Sequence, residues 1–289
     1  VTAESAARAV EFDDSGLDVW SEEHIFEVTA DRMAEYAAAV NDPIPAHRDG
    51  AIGSPVFAIV PVFEAMLMPV LEVAPLNIFG RVVHGEQDFH FHRPIRPGDR
   101  LVSRAKAIGY TARPAGSTIT ILVECRDAAG ELVNEQYLTA FFRGIDAGRS
   151  AGLIAPTHRI ENTGDEPVAA VHAHVDQDQT FRYSAASGDP VPLHLDDQVA
   201  KDAGLPGIIA HGLCTMAFAS WAVLTSVGGS DAHRIKRLAV RFAALVFPGD
   251  DLETRVRRVG TTDGVTAYTF ETVRGADVVL SDGLAEIIE

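Results

Sequence analysis

Asp189 and His194, in the run Asp189-Pro-Val-Pro-Leu-His194, are the pair in this sequence best suited to proton chemistry. A carboxylate and an imidazole held side by side divide acid and base roles near neutral pH, so together they could activate a water molecule and return its proton. Five residues apart, they would lie about 140° apart around a helix axis. Pro190 and Pro192 exclude regular helix and restrict the residues before them to extended backbone, so the two side chains must meet on a stiff loop. Taken alone, a motif this short reads more simply as an Asp-capped turn with a surface histidine. Downstream, Gly207-Ile-Ile-Ala-His211-Gly212-Leu-Cys-Thr opens a long apolar stretch that reads as a buried helix. A helix N-terminus offers unpaired N–H groups and a positive dipole end, and Gly212 has no side chain to block approach, which suits stabilisation of a thioester enolate oxygen. The other reading of Gly212 is close helix–sheet packing. Cys214 reads as core, because buried cysteines are usually inert.

The elements that carry these residues occur twice. Tyr36-Ala-Ala-Ala-Val-Asn-Asp-Pro-Ile-Pro-Ala-His47 aligns without gaps on Tyr183-Ser-Ala-Ala-Ser-Gly-Asp-Pro-Val-Pro-Leu-His194, with seven of twelve positions identical. Each copy is followed by an apolar run and then by a strand-like stretch ending in Pro-Gly-Asp, at 97–99 and 248–250, so the chain is a duplicated domain. Each half reads as a lead strand, a short helix, a loop, a long buried helix and several strands. Thr29 is the expected N-cap of a helix reaching about Val40, with Asp31 in its first turn. Strands are predicted near 81–93, 100–110, 117–125 and 131–143, and again near 235–247, 252–260, 265–274 and 277–287. A helix apolar all round, followed by four strands, is best satisfied by an antiparallel sheet wrapped around it. The domain reading is 1–145 for the first repeat, 146–167 for a linker and 168–289 for the second repeat, with the two sheets able to join edge to edge.

Composition narrows the function classes. The 289 residues carry a formal net charge of −17, which disfavours nucleic acid and anionic membrane surfaces as partners. Two cysteines without metal-ligand spacing, Cys125 and Cys214, suit a reducing compartment, and the cytoplasm is the expected location. The run Val1 to Val10 contains Glu4 and lacks the charged and apolar regions of a signal peptide. Pro55 to Val73 and Ile208 to Val227 are apolar enough to raise a membrane question, but Pro61, Glu64, Pro69, His211 and Gly212 favour enclosed core helices.

Ser187-Gly-Asp-Pro-Val-Pro-Leu-His194, His211-Gly-Leu-Cys-Thr215, His84-Gly-Glu-Gln87 and the Phe-Pro-Gly-Asp stretch at 247–250 together resemble the MaoC-like hydratases, and within them the type 2 enoyl-CoA hydratases, including the hydratase unit of peroxisomal multifunctional enzymes. The resemblance covers both halves. It implies an α+β double hot-dog fold and reversible syn addition of water to a trans-2-enoyl-CoA, or its acyl-carrier-protein counterpart, giving the (3R)-3-hydroxyacyl thioester. Asp189 and His194 would share the catalytic water, the Gly212 amide would bind the thioester oxygen, and no metal or redox cofactor is needed. His211 is a candidate substrate contact, and Arg234, Lys236 and Arg237 are candidates for the coenzyme A phosphates or, equally, a solvated strand edge. A homodimer is expected by analogy. A hot-dog thioesterase and a non-catalytic acyl-thioester-binding subunit are the other two readings.

Two departures from the family pattern stand out. Val191 occupies a position where the family usually has Asn, which removes one polar ligand of the water. The first repeat keeps Asp42 and His47, although that half is expected to have lost its pair; there the apolar helix opens with Ser54-Pro-Val-Phe-Ala58, placing Val56 and Phe57 where an oxyanion would need access. Asp42 and His47 therefore read as a relic in a half that accommodates the acyl chain, and His84 and Glu86 read as structural residues at the repeat interface.

Overall fold

The computed structural model describes residues 8–160 and 166–289. With the short strand Ala151–Gly152 added beside Gly109–Tyr110, its centre is one continuous antiparallel sheet whose main order takes five strands from each repeat. They are β1 (His24–Glu27), β2 (Val82–Phe91), β3 (Arg100–Arg113), β4 (Gly116–Arg126) and β5 (Leu132–Arg143) from the first half, with β6 (Ala169–His174), β7 (Ile235–Phe242), β8 (Asp251–Thr262), β9 (Val265–Arg274) and β10 (Asp277–Ile288) from the second. The order β1-β3-β4-β5-β2-β7-β10-β9-β8-β6 reads the same from either end when the halves are exchanged. The repeats join through β2 and β7, where Asp88 lies opposite Ala239 and Arg237 opposite His90. The predicted strands are present; β7 stops at Phe242 instead of 247 because the chain turns away there toward Phe247-Pro248-Gly249-Asp250.

The helices lie on one face of this sheet. Helix α1 (Ala30–Ala39) is capped by the Thr29 hydroxyl, which accepts from the Arg32 amide, and α2 (Gln179–Ser187) is its counterpart in the second half. Their repeated tyrosines meet, with the Tyr36 and Tyr183 hydroxyls 3.5 Å apart, marking the axis that relates the halves. The carbonyls that a helix leaves unpaired at its C-terminus are served in α1 by the other repeat: Arg182 donates to Ala38, Gln179 to Ala39 and Trp221 to Val40. Helix α3 (Gly212–Ser226) is buried at every position from Leu213 to Leu224. Each large side chain among these, such as Phe218 or Leu224, contributes about 1.5–3 kcal/mol through burial.

The first half departs from the expected long central helix. Pro55–Met66 forms tight 3-10 turns, and only Leu67–Val73 is α-helical. Pro61 removes one backbone donor and clashes with a continuing α-helix. Carbonyls freed by this irregular backbone are taken up by the sheet: the Ser103 hydroxyl donates to Pro61 and the Gln136 amide to Ala58. The stretch 55–73 is long and apolar enough to cross a membrane, yet most of it is packed inside the protein. Of the linker reading, residues 161–165 lie outside the described residues, as do 1–7 of the N-terminal run; Thr157 to Ile160 lie across the β2–β7 seam, fixed by bonds from His158 and Arg159.

Candidate active site

Gly188 ends α2 in the left-handed conformation, φ +81°, turning the chain into the Asp189–His194 loop. The loop is held at both sides of Asp189. Its carbonyl accepts from the Ser184 hydroxyl at 2.6 Å, its amide donates to Ser187 Oγ, and one carboxylate oxygen accepts from the Val191 amide at 3.1 Å. Val191 thus orients the carboxylate through its backbone, while its side chain faces solvent. Pro192 opens a single 3-10 turn, Pro192–His194, whose end presents the imidazole. His194 Nδ1 donates to the Ile209 carbonyl at 2.8 Å, which leaves Nε2 of the neutral ring as an acceptor.

The carboxylate of Asp189, a nitrogen of His194 and a nitrogen of His211 lie within 4.8 Å of one another. Asp189 and His194 are near enough to be bridged by one water molecule. Burial raises the pKa of Asp189 above the usual carboxylate range and lowers that of His194, moving the two ionisations toward each other. His211, only 2% exposed, sits between the Tyr183 ring and the His194 ring, the latter stacked at 3.8 Å between centroids. Burial pushes its pKa down to about 3, with the neighbouring His194 acting in the same direction.

His211 is also the residue that caps α3, and Gly212 is its first helical residue. A Cβ at Gly212 would stand 3.1 Å from the Phe242 ring, so any side chain there would have to displace that ring, and glycine leaves the amide approachable. Phe242 in turn packs on His84 of the first repeat, 4.6 Å between ring centroids. His84 reaches this place through an irregularity in the pairing of β2 with β5 between His84 and Glu86, where one extra residue turns its side chain toward the interior. Its Nε2 is sealed without a hydrogen-bond partner, and burial depresses its pKa to about 4.

The same motif in the first repeat has a different geometry. His47 Nδ1 and an Asp42 carboxylate oxygen are in direct contact at 2.7 Å, and the two residues are 0% and 1% exposed. The other Asp42 oxygen accepts from the Ile44 amide. Pro55, the first residue of the following 3-10 turns, has no N–H to offer, and Val56 and Phe57 are completely buried.

Among the described residues, no hydrogen bond or ion pair links Arg234, Lys236 or Arg237 to the Asp189 loop. Arg237 forms a two-pronged ion pair with Asp88 across the repeat junction and donates to the Thr157 carbonyl, and Arg234 donates to the Ile288 carbonyl within the second repeat. Lys236 and Arg237 lie some 17–20 Å along the strand from Phe242. His211, the candidate substrate contact, stacks on the His194 ring, and its Nε2 donates to the Asp189 carbonyl at 3.4 Å. Sequence reasoning missed Tyr183, Ile209 and Phe242 as parts of the site. Tyr183 had a signal, its repetition as Tyr36; the other two act through a carbonyl and a ring edge that no motif marks.

Two family models match the chain, one on each repeat: the MaoC like domain over residues 159–279 and the FAS1-like, dehydratase domain region over residues 16–136. 3-Hydroxyacyl-thioester dehydratase Y of Mycobacterium tuberculosis is 30% identical over 245 residues, covering 80% of this chain and 82% of its own. Probable enoyl-CoA hydratase 2 of Dictyostelium discoideum is 29% identical over 209 residues, 71% of this chain and 70% of its own. Against the mouse and Drosophila peroxisomal multifunctional enzymes type 2, the chain spans 32% and 48% of their length. Among solved structures, a MaoC-like dehydratase from Phytophthora capsici superposes with a TM-score of 0.82 at 23% identity, covering 95% of this chain and 97% of that one, which extends the likeness in fold to both repeats.

Proposed function

The chain belongs to the MaoC-like dehydratase family, and from that premise we propose that it is a hydro-lyase that adds water reversibly to trans-2-enoyl thioesters, giving (3R)-3-hydroxyacyl thioesters, with Asp189 and His194 holding the water. The observation that carries the site assignment is the contrast between the two copies of one motif. In the second, the carboxylate and imidazole stand apart, are partly open to solvent and lie beside a helix N-terminus with a free amide. In the first, they have closed on each other and are sealed from solvent, and the following element opens with Pro55, which has no N–H to offer.

The chemistry follows from the placement. Water bound between Asp189 and His194 Nε2 gives its oxygen to C3 of the enoyl group, and the proton taken up by one side chain is matched by a proton returned to C2 by the pair. Charge that develops on the thioester oxygen meets the Gly212 N–H and the positive end of α3. The Ile209 carbonyl holds His194 in the tautomer this requires. Both the coenzyme A and the acyl-carrier-protein thioester fit this reading, and pairing of the chain into a homodimer belongs to the same proposal.

The test is loss of enoyl absorbance with crotonyl-CoA and a long-chain trans-2-enoyl-CoA, followed by chiral analysis of the product. Formation of the (3R) alcohol by the wild type, reduced at least about 100-fold in Asp189→Ala, is the expected result. Release of free thiol without hydration would favour a thioesterase, and tight binding without turnover a carrier subunit. Because burial holds His194 neutral to lower pH than its ordinary 6.5, kcat/KM should stay level down to that pH and fall only below it.

A further inference from the structure

We propose that His211 is a positioning residue: its ring is the spacer that keeps Asp189 and His194 apart, and Ser54 in its place lets Asp42 and His47 close in the first repeat. The effect on turnover rests on the reaction assigned above; the effect on the geometry of the pair does not. The backbone fixes the correspondence between the two residues. The Gly53 amide donates to the Ile95 carbonyl and the Ala210 amide to the Val246 carbonyl, each acceptor lying two residues before a Pro-Gly-Asp turn. The next residue in each repeat, Ser54 or His211, takes the N-cap position of the element that follows. By the same alignment Ile52 stands where Ile209 stands. The first repeat therefore keeps a residue matching the carbonyl anchor of His194, but nothing ring-sized matching His211.

His211 meets both members of the working pair. Its ring is stacked on His194, 3.8 Å between centroids, and packs against Tyr183 at 4.8 Å. Its Nε2 donates to the Asp189 carbonyl at 3.4 Å and stands 4.0 Å from the Asp189 carboxylate. At interior packing density a side chain moves only where volume is free, and this ring takes up the volume beside both groups. In the first repeat the matching tyrosine, Tyr36, packs on Phe57 at 5.5 Å, and Asp42 and His47 touch at 2.7 Å. A histidine is costly to keep in this place. With Nε2 donating, Nδ1 is left as an acceptor, and it is buried without a partner. An unpaired buried nitrogen weakens the fold, and 3.4 Å is long for a hydrogen bond, so the shape of the ring accounts for its presence better than the bond does. Burial also keeps the ring neutral, so it sets no second charge beside His194 when that residue takes up a proton.

The test compares His211→Ser, which copies the first repeat, with His211→Phe, which keeps a ring and gives up both nitrogens. Crystal structures of the full chain give the separation of the pair, and crotonyl-CoA hydration gives kcat and KM per folded molecule, with the fold checked by circular dichroism. In His211→Ser the Asp189 carboxylate and the His194 imidazole should close to contact, near the 2.7 Å of Asp42 and His47. In His211→Phe the gap should remain. The serine variant should lose at least about 100-fold in kcat and the phenylalanine variant no more than about 10-fold. KM should stay near the wild-type value in both, because the loss falls on groups that act in the transition state. If the serine variant does not fold, His211→Asn, which leaves a smaller void and no ring, takes its place with the same closure expected. A gap that stays open without the ring would assign the separation to the longer chain between His194 and Ile209, with its extra helix Asp197–Asp202, and would overturn the proposal. So would a phenylalanine variant in which the pair closes, or one as slow as the serine variant with its gap intact. Closure with undiminished kcat would overturn the effect on turnover. Closure on loss of the ring, in a chain whose wild type hydrates no enoyl thioester, would uphold the spacer and sink the reaction.

Discussion

Two pairs of identical residue types, five positions apart in identical spacing, differ here in what they can do. Asp42 and His47 satisfy each other directly and are sealed, whereas Asp189 and His194 are each anchored by backbone and leave a water-sized gap between them. Chemistry therefore depends on what the neighbours spare for a substrate. Removing the Asp42 carboxylate leaves the His47 Nδ1 proton and the Ile44 amide buried without acceptors, so Asp42→Ala should lower stability by about 3–5 kcal/mol in urea unfolding. Turnover per folded molecule should be unchanged, measured as initial rate corrected for active fraction. A loss as severe as that of Asp189→Ala would place a second working site in the first repeat. Both pairs were visible in the sequence, and so was the reason to favour the second, in Ser54-Pro-Val-Phe against His211-Gly212. That the first pair had closed on itself was not legible, because the same motif at the same spacing closes in one repeat and stays apart in the other.

At the scale of elements, strands and turns were readable because Gly, Pro and Asp mark every hairpin, as at Arg113-Pro-Ala-Gly116 and Asp263-Gly264. The proline-interrupted stretch 55–66 was not, since an all-apolar run has no period that separates α-helix from tighter turns. Neither was the irregularity at Gly85, which reverses the face on which His84 emerges and sends it across to Phe242. The inward ring has a consequence for stability. In the fold His84 is neutral with its pKa near 4, while in the unfolded chain it titrates near 6.5. Above pH 6.5 neither state is protonated and there is no effect. As pH falls from 6.5 toward 4 the unfolded chain gains the proton first, and His84 alone removes about 3 kcal/mol of stability. His84→Phe keeps an aromatic ring against Phe242 and should show a shallower decline of the urea midpoint over that interval. An unchanged slope would mean that the ring is open to water in solution.

Over the whole molecule, the duplicated motif announced two repeats, but the chemistry of their junction lies in residues about 150 positions apart that no local pattern links. Arg237, read from sequence as a phosphate contact or a solvated edge, is 12% exposed and engages Asp88, itself 2% exposed, from the opposite repeat. The Asp88 carboxyl is held below its ordinary range by His90 and Arg237 against the opposing effect of burial. This pairing has a bearing on what the two halves would do if they were separate chains. Asp88 lies at the crossing point, opposite Ala239, so two first repeats joined in the same register would bring Asp88 against Asp88. Two second repeats would set Arg237 against Arg241. Each half therefore rejects its own copy and accepts the other. Cutting the chain between 160 and 166 and producing the fragments separately should give a one-to-one complex on mixing and no stable self-pair of either. Size-exclusion chromatography with light scattering would detect this, and Arg237→Ala should abolish the mixed complex. The ancestral pairing of like with like has become a lock and a key carried on one chain.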